Sequence, residues 1–140
     1  MWCRYSRASQ QSRLTLRILY ISDVYFPRIN GVSTSIRTFR RELQALGHEV
    51  IIAAPDYSPL PQEDEASIIR LSARRIPFDP EDRLMRQSAL RDLPAIAALR
   101  DIDIVHIQTP FAAHYAGLRV ARELNVPVVA TYHTFFEEYL

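Results

Sequence analysis

A chain of 140 residues with 48% hydrophobic and 24% charged residues has the size and make-up of one globular domain. Seventeen Lys and Arg against 16 Asp and Glu leave a net charge of +1, which argues against a nucleic-acid binder built on a basic surface. The single cysteine, Cys3, excludes an intrachain disulfide, and no apolar run approaches the roughly 18 residues needed to cross a bilayer, so any membrane role is expected to be peripheral.

Residues 1–15 open with "MWCRYSRASQQSR", rich in Ser, Gln and Arg and lacking the apolar centre of a secretory signal. They read as a disordered extension, and the cluster Arg4, Arg7, Arg13 and Arg17 as a solvated terminus. From Arg17, "RILYIS" is a continuous apolar run, as in a strand covered on both faces. "DVYFPRINGVSTS" follows and holds one of only three glycines, Gly31. From Ser33, "STSIRTFRRELQALGH" puts Ile36, Phe39, Leu43 and Leu46 at helical spacing, with hydroxyls to cap the start and Gly47 to end it. "EVIIAA" is a second buried strand, closed by Pro55, and the three elements predict a right-handed parallel βαβ unit.

Residues 55–82 carry five prolines (Pro55, Pro59, Pro61, Pro77, Pro80) and the acidic "QEDEA", and read as a loop around one short strand, "SIIRL". "EDRLMRQSALRDLPAIAALR" reads as helix in two pieces, divided at Pro94. "IDIVHIQ" is the next buried strand. "FAAHYAGLRVAREL" is a helix with Ala112, Tyr115, Ala116, Leu118, Val120 and Leu124 as core candidates; Asn125 stops it before the strand "VPVVATYH". The fold class is therefore α/β, a Rossmann-like doubly wound parallel sheet with the five strands in the order 3-2-1-4-5. "TFFEEYL" begins a further element, so the chain is expected to be the front part of a longer protein.

In open α/β sheets ligands bind beyond the carboxyl ends of the strands, where the strand order reverses. The loops after strands one, four and five, "DVYFPRINGVSTS", "HIQTPF" and "TYHTFFEEY", share that rim. A glycine ahead of a helix lets backbone N–H groups approach a phosphate, and the helix dipole favours the negative charge. Asn30, Gly31, Val32 and Ser33 are placed for this; a plain turn into a capped helix is the other reading of the same residues. Neither G-x-G-x-x-G nor a Walker A motif occurs, nor the G-x-S-x-G elbow of a nucleophilic hydrolase. Among the histidines, His48 reads as a surface residue, His114 as helix packing and His106 as a hydrogen-bonded core residue. His133 stands apart at the rim, flanked by Tyr132 and Thr134. No paired-ligand spacing supports a zinc site from His106, His114 and His133, and no metal is expected.

Together, "RILYISDVYFPRINGVSTSIRTFRRELQALGHEVIIAAP", "DIDIVHIQTPF" and "VPVVATYHTFFEEY" resemble the amino-terminal domain of family 4 retaining glycosyltransferases, enzymes of the two-domain GT-B fold. The segments span most of residues 16–140, and "FPRINGVSTSIR" with "TYHTFFEEY" is similar to the branch that glycosylates membrane lipids, the diacylglycerol glucosyltransferases and phosphatidylinositol mannosyltransferases. The resemblance implies an acceptor-side domain over residues 16–140, with the nucleotide-sugar domain absent from this chain, so that the chain alone is inactive. It implies transfer of a hexose, with retention, from a nucleotide-diphosphate sugar such as UDP-glucose or GDP-mannose to a hydroxyl, a membrane lipid such as diacylglycerol being the acceptor it points to. No cofactor or nucleic acid is implied, and the location is cytoplasmic, peripheral at the inner face of the membrane. Asn30, Gly31, Val32 and Ser33 match the family's donor-diphosphate loop, although many members have two adjacent glycines where this chain has Asn30-Gly31. His133 matches the cleft histidine that orients hydroxyls and is the catalytic candidate; Tyr25, Phe26, Gln108, Tyr132 and Thr134 are acceptor-side candidates, and Phe111, Phe135, Phe136 and Tyr139 add aromatic surface. Two alternatives stay open: a non-catalytic flavodoxin-like domain that binds a phosphate or a partner, and a Rossmann dehydrogenase, which the missing glycine fingerprint weakens.

Overall fold

The structure, a computed structural model, describes residues 15–133. The extension expected over residues 1–15 falls almost wholly outside them, as do Thr134, Phe135, Phe136 and Tyr139. Seven strands form among the described residues: β1 (Arg17–Ile21), β2 (Glu49–Pro55), β3 (Ile68–Leu71), β4 (Ala73–Ile76), β5 (Asp79–Met85), β6 (Ile104–Ile107) and β7 (Val128–Ala130). The helices are α1 (Gly31–Ala45), α2 (Gln87–Asp92) and α3 (Ala112–Leu124), with short 3-10 turns at Leu93–Ala95 and Ala97–Leu99. Five strands make one parallel sheet in the order β3-β2-β1-β6-β7, and β4 pairs antiparallel with β5 in a separate hairpin. With the hairpin set aside, this is the expected 3-2-1-4-5 order.

The inner strands β1 and β2 are buried on both faces, their successive side chains pointing to opposite, covered sides, while edge strand β7 is exposed. Ile18 and Tyr20 of β1 join Ile36 of α1 and Val50 and Ile52 of β2 in one cluster. Leu19 and Ile21 join Ile51, Val105, Ile107 and the inner stripe of α3 in the other. That is why "RILYIS" and "EVIIAA" read as unbroken apolar runs: neither face of either strand meets water.

Two helix faces differ from expectation. On α1, Ile36 is buried but Phe39 and Leu46 are exposed, while Arg40 is buried, its guanidinium donating to Glu65 Oε2 (2.9 Å) and Ser67 Oγ (2.5 Å). On α3, Ala116 and Val120 are buried as expected and Tyr115 and Leu118 are exposed; the inner stripe is Ala113, Ala116, Gly117, Val120 and Ala121. Small residues line it because α3 lies close on the sheet. A Cβ at Gly117 would stand 2.5 Å from Ile107 Cγ1 and 3.1 Å from Ile21 Cγ2. Gly117→Ala is expected to destabilise the protein by about 1–2 kcal/mol in urea unfolding, since overpacking outweighs the gain in helix propensity.

The segment Glu81–Met85, expected to begin a helix, is a strand. Pairing with β4 overrides the helix-forming composition: Arg83 is buried, donates to the carbonyls of Pro80 (2.8 Å) and Asp82 (3.0 Å), and lies over the Tyr57 ring. Helix resumes only over α2, and Pro94 falls in the 3-10 turn behind it. The helix stops are as read: Gly47 (φ +92°) follows α1 and left-handed Asn125 (φ 53°) ends α3.

Candidate functional site

A cleft of about 470 Å3 opens beyond the carboxyl ends of β1 and β6, walled on one side by the β4–β5 hairpin. Asp23 and Val24 enter it from the β1 loop, Asn30 and Val32 from the start of α1, Gln108, Thr109, Pro110 and Phe111 from the β6 loop, and Tyr132 and His133 from beyond β7. Ile76, Asp82, Arg83 and Leu84 come from the hairpin. The three loops that the sequence placed on one rim therefore meet in one cavity.

The start of α1 is capped by a side chain other than the expected hydroxyls. Asn30 is the cap, its Oδ1 accepting from Ser33 N–H at 2.9 Å, and Thr34 N–H reaches the Asn30 carbonyl at 3.0 Å. Ser33 is itself buried, its amide is taken by Asn30, and it is not among the residues that line the cleft. This leaves the amides of Gly31 and Val32 without an acceptor among the described residues, at the positive end of a 15-residue helix. A Cβ on Gly31 would meet no protein atom within 4 Å, so Gly31 keeps open space at the helix start and is not required by any contact in the fold.

Asp23, which the sequence reading passed over, organises the cleft floor. Its Oδ2 accepts from Thr109 Oγ1 (2.5 Å), its Oδ1 from Ala113 N–H (3.1 Å), and its own N–H donates back to Thr109 Oγ1 (2.8 Å). Phe111, the residue preceding α3, makes no side-chain cap bond, so Asp23 caps that helix from 90 residues away and ties the β1 loop to the β6 loop. Burial pushes its carboxyl above the usual range, while Thr109 and the amides at the start of α3 pull it down. The only sequence signal was an acidic residue directly after a buried strand.

Two polar pairs cross from β6 to the segment after β7. His106 Nε2 meets Thr131 Oγ1 at 2.7 Å, and His133 Nε2 meets Gln108 Oε1 at 3.1 Å, each 25 residues apart. His106 is half-buried with the Tyr20 ring edge-on at 4.9 Å, the hydrogen-bonded histidine expected from its place in a strand. Burial lowers the pKa of both histidines, and for His106 the proximity of His133 adds to it. Gln108 is buried; Tyr132 and His133 are exposed to the cleft.

Tyr25 and Phe26 do not line the cleft. Tyr25 is fully buried against α1, and Phe26 is half-buried beneath the Arg37 guanidinium, 3.3 Å from its ring centroid, so core packing accounts for both. Thr134 lies outside the described residues. Among the described residues, no group of three His, Cys, Asp or Glu side chains is placed to hold a metal ion.

The fold defines a Rossmann-like α/β domain, and its cleft lies at the strand carboxyl ends, where ligands of such folds bind. The Glycosyltransferase Family 4 profile matches residues 29–140, and the chain belongs to that family. It is 37% identical over 126 residues to an alpha-monoglucosyldiacylglycerol synthase of Streptococcus pneumoniae, covering 89% of this chain and 28% of that protein. It is 34% identical over 128 residues to a GDP-mannose-dependent alpha-mannosyltransferase of Mycobacterium tuberculosis, covering 85% and 32%. The chain thus spans about a third or less of the length of these relatives. Among solved structures it superposes on a glycosyltransferase from Rickettsia africae with a TM-score of 0.54 at 16% identity, over 90% of this chain and 33% of that one. The carboxyl-terminal domain of a Pyrococcus furiosus hydrogenase matches about as well, at a TM-score of 0.52 and 16% identity over 83% and 91%. At such identities the likeness is one of fold alone.

Proposed function

We propose that this chain is the acceptor-side, amino-terminal part of a retaining family 4 glycosyltransferase that moves a hexose from a nucleotide-diphosphate sugar to an acceptor hydroxyl. One observation carries the reading: in a member of this family, the helix start with two free amides and the His133–Gln108 pair flank a single cleft. The amides of Gly31 and Val32 suit the donor diphosphate, with no side chain at Gly31 in the way. His133, held mostly neutral at pH 7 by its lowered pKa, orients a hydroxyl of the sugar or acceptor.

Stabilising the leaving diphosphate needs a free cation, because charge stabilisation of this kind is usually among the largest catalytic contributions. Arg83 is the one arginine lining the cleft among the described residues; its Nη1 donates to two carbonyls and its guanidinium lies over the Tyr57 ring, which anchors it on the hairpin. The cleft thus supplies one anchored cation and the helix start, and further leaving-group stabilisation is proposed to come from the rest of the enzyme, so residues 1–140 alone are expected to show no transfer.

The acceptor is proposed to be a membrane lipid such as diacylglycerol, and the donor a sugar on UDP or GDP; the names of the relatives support a diacylglycerol lipid and a GDP-linked sugar. No described helix is long and apolar enough to cross a membrane, so contact with the bilayer is peripheral in this reading. Phe111 and Tyr132 are exposed on the cleft wall, and Phe78 is 99% exposed at the hairpin turn beyond Arg74 and Arg75, which suits a surface that approaches lipid.

The test is an assay of the product of the complete reading frame with UDP-glucose and GDP-mannose against diacylglycerol in mixed micelles and against water-soluble acceptors. Transfer to the lipid with the anomeric configuration kept is the expected result. Absence of transfer across donors and acceptors by a folded protein would sink the reading.

A further inference from the structure

We propose that Gln108 is the positioning residue for His133: its side-chain carbonyl accepts the Nε2 proton and holds the imidazole in the tautomer whose Nδ1 is the ring's one acceptor. The inference rests on the transferase reading of the cleft and deepens it, because it assigns His133 the role of accepting a hydrogen bond from a sugar or acceptor hydroxyl.

The geometry is built from the backbone outward. Gln108 N–H donates to the Ile21 carbonyl and Thr131 N–H to the Ile107 carbonyl, both at 2.9 Å, so the chain on either side of the pair is tied down before the side chains meet. Gln108 is 4% exposed, and its Oε1 lies 3.1 Å from His133 Nε2. A carbonyl oxygen can only accept, which makes Nε2 the donor and leaves the lone pair on Nδ1. Nδ1 of His133 has no partner among the described residues.

A neutral amide also withholds what a carboxylate would supply. With Glu at this place the imidazolium would be favoured, and the protonated ring has no acceptor nitrogen left. The other charged groups facing His133 leave it neutral. Asp82 is ion-paired with Arg28, Arg83 keeps its positive charge and, with His106 one rung back, disfavours a second one, and Asp23, bonded to Thr109 and Ala113, does not reverse the downward shift of His133. Burial acts in the same direction on His133 itself.

The test uses the complete protein with 15N-labelled histidine, read by long-range proton–nitrogen spectra and by the pH dependence of kcat. His133 is expected as the Nε2–H tautomer at neutral pH. Gln108→Glu is expected to raise the His133 pKa by about one unit or more. It should also lower kcat at pH 7 by about twofold or more with KM within about twofold, the acid limb of the kcat profile moving up with the pKa. Gln108→Met, close in volume but without the carbonyl, should relax the tautomer toward the free-imidazole mixture and carries the test if the Glu variant does not fold. A purely structural Gln108 would change folded yield and leave the position of the acid limb unchanged. Observation of His133 as Nδ1–H in the parent protein, or a raised pKa with an unmoved kcat profile, overturns the proposal. If the parent protein transfers no sugar at all, the failure belongs to the transferase reading, and the spectra still report on the tautomer.

Discussion

His133→Ala is expected to lower turnover of the complete enzyme by about a hundredfold, the scale of losing one well-placed hydrogen-bonding group in an active site. Folding should change by less than about 1 kcal/mol, because His133 is exposed and one hydrogen bond, to Gln108, is what it contributes to the fold. The combination is informative: a residue whose loss leaves the urea midpoint in place and removes turnover acts on substrate. Steady-state kinetics and urea unfolding of the same preparation check it, and unchanged turnover removes His133 from the site.

Asp23→Ala is expected to be the most damaging single change to stability in the cleft, at about 2–4 kcal/mol. It strands the Thr109 hydroxyl and leaves Ala113 N–H at the start of α3 without its acceptor, and both are groups that water does not readily reach. Asp23→Asn keeps an acceptor oxygen in the same place and should cost less than half as much. The two variants also separate by pH. Burial raises the carboxyl's pKa in the fold above its ordinary 3.8, so between those values the native state holds the proton more tightly and stability falls as pH rises. Asn removes that contribution, and urea midpoints between about pH 3.5 and 6 read the difference.

The parallel sheet was legible because β1, β2 and β6 are buried on two faces, and burial of that kind leaves an uninterrupted apolar run. The hairpin was not, because one of its two buried residues on β5 is Arg83, bonded to main-chain carbonyls, and Met85 alone makes no period-two pattern of apolar residues to announce it. The helix faces were misjudged for a related reason. Large apolar residues suggest a core, but α3 approaches the sheet so closely at Gly117 that alanines line the contact and Tyr115 is turned outward. Asn30, Gly31 and His133 could be placed at the rim from loop position alone. The bonds that arrange the rim could not, since Asp23 to Ala113 and Gln108 to His133 join residues far apart in sequence, and nothing in the local pattern of either partner marks the other.

In the proposed enzyme the open start of α1 receives the donor diphosphate. Gly31→Val tests it most directly, because a Cβ there meets no protein atom within 4 Å, so the fold is expected to tolerate it, while a branched side chain at the helix start is expected to crowd a group held by the free amides. In the complete enzyme the KM for the nucleotide-sugar should rise about tenfold or more, with the urea midpoint unchanged within about 1 kcal/mol. An unchanged donor KM in a folded, active Gly31→Val variant would place the diphosphate elsewhere and contradict the account.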